Sequence, residues 1–293
     1  MSTKTHIRIG TRGSDLALWQ AHFVKGQLEA LNCEVTLKII VTQGDRIQDL
    51  SFDKLEGKGF FTKEIENALL NNEIDLAVHS HKDLETSQPE GLCIAAVSYR
   101  EDPSELLLMQ AAAQDASQLW GLKHGATIGT SSARRKAIIK ALRPDLNIEE
   151  LRGNVPTRID KLRAGNYDAI LLANAGVSRL QLDLSDLQTL VLDPTEFVPA
   201  PAQGVLGLQV RAADQQTRQV LSQLNHPEVA AKIALERGVL QAMDGGCQLP
   251  LGVYYGPHAI FVAHSKSAAL PAQFYQFEHS SSIEAITTVL QNA

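Results

Sequence analysis

The stretch Ala126-Thr127-Ile128-Gly129-Thr130-Ser131-Ser132-Ala133-Arg134-Arg135 decides how this chain folds. A short apolar run over 126–128 reads as a strand. A loop of small polar residues follows, and 133–142 reads as a helix. Strand, loop and helix start form the repeating unit of an α/β protein. The same loop collects two guanidinium forks, hydroxyls and the open N–H groups of a helix start, a combination that binds carboxylates or phosphates.

Outward from this unit the alternation continues. A β-branched run at 35–41 predicts a strand. Leu16, Trp19, Phe23, Leu28 and Leu31 predict one apolar face of a helix after Ser14. Segment 62–70 reads as a helix with Thr62 as N-cap. Strands are expected at 75–78, 93–97, 148–151 and 168–172, and a helix opened by Pro156 closes near Gly165. The pattern implies largely parallel sheets with helices on both faces. Most unusual loops, 79–83, 130–135, 152–154 and 173–176, follow strands, so they would converge on one cleft outside the strand ends.

Two linker-like stretches, 100–103 and 198–204, would carry the chain across a hinge between two α/β domains. Past about residue 225 the composition changes. A helix over 229–243 and strands near 252–255 and 259–263 predict a smaller α+β domain. The expected division is 1–101 with 202–222, then 102–201, then 223–293.

The formal net charge is −6, which does not favour nucleic acid. Yet Arg12, Lys58, Lys63, Lys82, Arg134, Arg135, Lys136, Arg152, Arg158 and Arg179, ten of the 27 basic residues, lie in or beside the motif loops. An acidic chain that gathers positive charge there suits a small anion. No stretch approaches the roughly 20 apolar residues that span a bilayer. The first residues lack the apolar run of a signal peptide, and Cys33, Cys93 and Cys247 have no paired spacing. A reducing cytoplasm is the default expectation.

His79-Ser80-His81-Lys82-Asp83 places ionisable groups beside a strand. Its two histidines find no further ligands nearby, so no metal is expected. Asp83 next to Lys82 suits charge stabilisation or proton transfer. Glu56-Gly57-Lys58-Gly59 lacks the spacing of a phosphate-binding loop. Arg152 and Arg158 flank another helix start, and Arg179 adds a further cation. Cys247, between Gly246 and Gln248, reads as a thiol that something bulky approaches, either a nucleophile or an attachment point.

Together these segments resemble the porphobilinogen deaminase (hydroxymethylbilane synthase) family. The matching runs are Thr11-Arg12-Gly13-Ser14, continuing to Gln20, then Gly57-Lys58-Gly59, 77–83, 129–135, 151–158 and 245–252, in the family's order. The resemblance implies two periplasmic-binding-protein-like α/β domains joined by a double-crossing hinge, plus a small α+β C-terminal domain. It implies a dipyrromethane cofactor bound to Cys247 through a thioether. Four porphobilinogen units would then be added with loss of ammonia, and hydrolysis would release the tetrapyrrole. Asp83 would be the catalytic carboxylate. Ser80, Lys82, Thr130, Ser131, Ser132, Arg134, Arg135 and Arg158 would hold the cofactor. Arg12, Ser14, Gln20, Lys58, Arg152, Arg158, Arg179 and Gln203 would hold substrate. Each pyrrole carries an acetate and a propionate, which explains the number of arginine forks. Losing ammonia leaves a cationic azafulvene-type species, which a buried Asp83 would stabilise. A cytoplasmic monomer is expected, with no nucleic-acid or membrane partner. The chain departs from the family pattern at Glu85, Ser104, Pro156 and Ala202. The rival reading is a non-catalytic anion- or tetrapyrrole-binding protein of the same fold, which leaves Cys247 without a purpose.

Overall fold

A computed structural model of the chain describes residues 4–46, 61–246 and 248–292. The first segment forms β1 (His6–Thr11), α1 (Asp15–Ala30), β2 (Glu34–Ile39) and α2 (Gln43–Arg46). After it come α3 (Lys63–Leu70), β3 (Leu76–Ser80) and β4 (Leu92–Val97). Next are β5 (Glu105–Met109), β6 (Thr127–Gly129), α4 (Ala133–Leu142), β7 (Asn147–Glu149), α5 (Val155–Arg163), β8 (Ala169–Ala173), α6 (Asn174–Leu180) and β9 (Gln188–Leu192). The remainder forms β10 (Leu206–Arg211), α7 (Gln215–Leu221), α8 (Pro227–Ala242), β11 (Leu251–Tyr255), β12 (Ile260–His264), β13 (Gln273–Phe277) and α9 (Ile283–Gln291).

The chain divides into two compact units, 1–101 with 204–232, and 102–203 with 233–293. The first contains a sheet of order β2-β1-β3-β10-β4, the second a sheet of order β7-β6-β8-β5-β9. The two orders are alike. β1 pairs in parallel with β2 and β3, as β6 does with β7 and β8. One strand runs against its neighbours in each, β10 in the first and β5 in the second. Parallel neighbours need a crossover, which α1 supplies between β1 and β2 and α4 between β6 and β7. The second unit also carries an antiparallel sheet, β11-β12-β13, over its own apolar cluster of Val239, Leu251, Val253, Ile260, Val262, Ile286 and Leu290.

Gly204 marks one end of a crossover between the units. Its φ is +89°, and a Cβ there would lie 2.3 Å from the Glu101 carbonyl oxygen, so only glycine fits.

Some local expectations change. The buried face of α1 is Gln20, Ala21, Val24 and Leu28, while Leu16, Trp19 and Phe23 are half-buried. Trp19 stacks on Phe23 at 5.4 Å, and Phe23 meets Tyr99 edge-on. Aromatic pairing on the flank therefore produced part of the apolar period. Thr62 holds the N-cap position of α3, but its hydroxyl makes no cap bond and has no partner among the described residues. β3 runs on to Ser80, so His79 and Ser80 are strand residues rather than loop. Segment 174–176 opens α6, which places Arg179 on a helix.

Candidate functional site

In the first unit the site residues gather at the C-terminal ends of β1 and β3. β1 ends at Thr11, and Ser14 caps α1 by accepting from the Ala17 N–H at 3.4 Å. Arg12, between them, donates from Nε to Asp45 Oδ1 at 3.0 Å and from Nη2 to the same oxygen. Its guanidinium carbon lies 4.2 Å from the Phe61 ring centroid. Asp45 in turn accepts from Thr42 N–H and Oγ1 at 3.0 and 2.8 Å. Burial pushes the Asp45 carboxyl up, but the Arg12 and Thr42 donors outweigh it and hold it below the usual range.

Gln20 is buried and donates from Nε2 to Ser80 Oγ at 2.9 Å, so these two residues are in contact. His79, one position earlier on β3, points to the opposite face. Its Nε2 lies 3.1 Å from Gln209 Oε1, and Gln209 donates to Glu66 and Gln88. Burial pulls the His79 pKa down to about 4, so it is neutral at physiological pH.

After Ser80 the backbone closes a single 3₁₀ turn, His81–Asp83. Leu84 and His81 turn inward, Lys82 is half-buried and Asp83 is exposed. The expectation of a buried carboxylate at Asp83 is therefore corrected. A short turn at a strand end cannot bury every side chain, and here the apolar Leu84 takes the interior position.

In the second unit the donors sit on the loops after β6 and β7. Ser131 Oγ donates to the Leu151 carbonyl at 2.8 Å and accepts from the Leu151 N–H at 3.1 Å, tying the two loops together. Ser132 caps α4 by accepting from Arg135 N–H at 3.4 Å, and Thr130 Oγ1 accepts from Ser132 N–H at 3.3 Å. Asn154 caps α5 by accepting from Thr157 N–H at 2.9 Å. Arg158 donates from Nε to the Gly153 carbonyl at 2.7 Å, and Arg152 and Arg158 are both half-buried.

Arg134 and Arg135 point inward. Arg134 Nη2 donates to Glu105 Oε1 at 2.5 Å and Arg135 Nη2 to Glu105 Oε2 at 2.6 Å. Their Nη1 groups donate to the carbonyls of Val198 and Leu171 at 2.9 and 2.8 Å. Glu105 is fully buried, and the arginines are 5% and 6% exposed. Burial draws the Arg134 pKa down, the Glu105 charge pushes it back up, and the Arg135 charge lowers it again. Arg135 Nε is buried with no hydrogen-bond partner among the described residues. Arg179 on α6 is 6% exposed, and Gln203 is fully buried, donating from Nε2 to the Pro103 carbonyl at 2.7 Å.

Lys58 and Cys247 lie outside the described residues. Among the described residues no cluster of three His, Cys, Asp or Glu could hold a metal, and no helix is long and apolar enough to cross a membrane. Sequence reasoning missed Glu105, Asp45 and Glu236. Glu236 is fully buried and accepts from the Ala202 and Tyr255 N–H groups, each at 2.8 Å. An acid heading the apolar run Leu106-Leu107-Leu108-Met109 was a legible signal, because a buried carboxylate requires partners.

Residues 7–219 match the family model described as porphobilinogen deaminase, dipyromethane cofactor binding domain. A porphobilinogen deaminase of Nitratidesulfovibrio vulgaris is 47% identical over 250 residues, covering 84% of this chain and 77% of that protein. One from Trichlorobacter lovleyi is 46% identical over 250 residues, covering 85% and 78%. Among solved structures, an arginine-specific periplasmic binding protein of Salmonella typhimurium is 13% identical with a TM-score of 0.41, covering 78% of this chain and 96% of that one.

Proposed function

The chain belongs to the porphobilinogen deaminase family, and from that premise we propose that it joins four porphobilinogen molecules head to tail. Each addition releases one ammonia, and one water frees the linear product, hydroxymethylbilane. The near-half identity to proteins of that name over 250 residues carries this reading.

The residues present suit a polycarboxylate pyrrole cofactor. Arg135 Nε is a buried donor that lacks an acceptor among the described residues, and a carboxylate oxygen is the acceptor it fits. Ser80, Lys82, Thr130, Ser131, Ser132, Arg134, Arg135 and Arg158 would hold dipyrromethane, and Cys247 would anchor it. When bound, that group supplies the pyrrole carbon from which the product grows. Arg12, Ser14, Gln20, Lys58, Arg152, Arg158, Arg179 and Gln203 are assigned to the substrate. They fix the acetate and propionate and so orient the incoming ring. Asp83 is assigned to the positive charge that develops on the substrate as ammonia departs.

The proposed division into 1–101 with 202–222, 102–201 and 223–293 is supported by the separate apolar cluster beneath β11–β13. Location in the cytoplasm, as a monomer without a nucleic-acid partner, follows from the family resemblance, and the net charge of −6 is in keeping with it.

Turnover provides the test. Purified protein should consume porphobilinogen with one ammonia released per ring. Asp83→Asn, which keeps shape and removes charge, should lower kcat about 100- to 1,000-fold. Turnover of the variant within a few-fold of the unaltered protein would remove Asp83 from this role.

A further inference from the structure

A carboxylate of the protein itself already sits where a ligand carboxylate is expected. Arg12 gives both Nε and Nη2 to one oxygen of Asp45, a charge-assisted contact of the kind a ligand carboxylate would also make with this guanidinium. Phe61 lies 4.2 Å from the same guanidinium. Asp45 does not wander into this contact. Its other oxygen is fixed by the Thr42 N–H and hydroxyl, 3.0 and 2.8 Å away. The pair is only partly covered, with side-chain exposures of 28% for Arg12 and 24% for Asp45. It is thus stable enough to form and open enough to be exchanged.

We propose that Asp45 is an internal competitor for Arg12, a carboxylate that the acetate or propionate of an incoming pyrrole must displace. The inference rests on the assignment of Arg12 to the substrate. Its physical content is an exchange of one ion pair for another. Arg12 has a counter-charge before and after the exchange, Asp45 first and the ligand carboxylate second. Affinity is lowered by whatever the Asp45 pair contributes. For a partly exposed pair that contribution is small, which makes the contact a tuning device and not a block. It also sharpens selection. A ligand that offers one weak anionic group gains little from replacing Asp45, whereas a ligand with two carboxylates and a ring recovers the loss elsewhere.

The opposite role would be positioning, in which Asp45 merely holds Arg12 in the binding pose. The two roles differ in the sign of the effect on KM. Asp45→Asn retains an amide oxygen to accept from Thr42, so the local turn survives while the charge is lost. Competition requires KM for porphobilinogen to fall about two- to fivefold, with kcat within about twofold. A KM that is unchanged or raised overturns the inference. Arg12→Leu is measured alongside. It should raise KM at least about tenfold. If Arg12→Leu leaves KM unaltered, the substrate assignment of Arg12 fails, and the inference fails with it. If Arg12→Leu raises KM but Asp45→Asn does not lower it, only the competition is wrong.

Discussion

His79 shows how a single buried side chain makes stability depend on pH. It is neutral, buried and bonded to Gln209 at 3.1 Å. In the unfolded chain the ring takes its proton near pH 6.5, but in the folded chain only near 4. The folded-state value is depressed, so its contribution is complete above pH 6.5 and is lost as pH falls toward 4. At pH 5 the loss amounts to about 2 kcal/mol relative to pH 7. Urea unfolding at the two pH values should show it, and His79→Gln should flatten the difference by about that amount. An equal pH dependence in the variant would place the sensitivity elsewhere. The sequence placed His79 correctly beside a strand but grouped it with the functional loop. Only the alternation of β3 separates it from Ser80, which meets Gln20 instead. The same two-residue alternation ends at the turn that leaves Asp83 exposed, a reversal that residue types alone do not reveal.

At the scale of elements, β5 and α4 are held together by charge inside an apolar layer. Glu105 opens β5 and divides its two oxygens between Arg134 and Arg135 on the first turn of α4. A buried carboxylate would cost several kcal/mol without such partners, and two buried guanidiniums would cost more. Removing the acid leaves both arginines without it. Glu105→Gln should therefore lower stability by about 3–5 kcal/mol, read by denaturant unfolding at pH 7. A loss below about 1 kcal/mol would show that the arginines find other counter-charges. The bounds of α4, 133–142, were fully legible in the sequence, because a polar loop gives way there to a continuous helical run. The direction of its two arginines was not. Their spacing marks the loop but does not show that one Nη2 group of each is taken by Glu105, some 30 positions away in sequence. Arg179 is similar, since the Ala-Gly pair before it reads as a loop yet opens α6.

At the scale of the molecule, alternating strands and helices foretold two α/β sheets. The single reversed strand in each, β10 and β5, was not foretold, because antiparallel pairing leaves no mark in a strand buried on both faces. Six short runs spread in order carried the family resemblance, and residues 7–219 match that family's model. The central functional claim is a covalent pyrrole cofactor on Cys247. The mass of the intact, natively purified protein tests it most directly. The expected result is the 31.9 kDa chain plus two pyrrole units, with a folded Cys247→Ala variant at the bare-chain mass and without turnover. A bare-chain mass for protein that still turns over porphobilinogen, or the two extra units on Cys247→Ala, would contradict it.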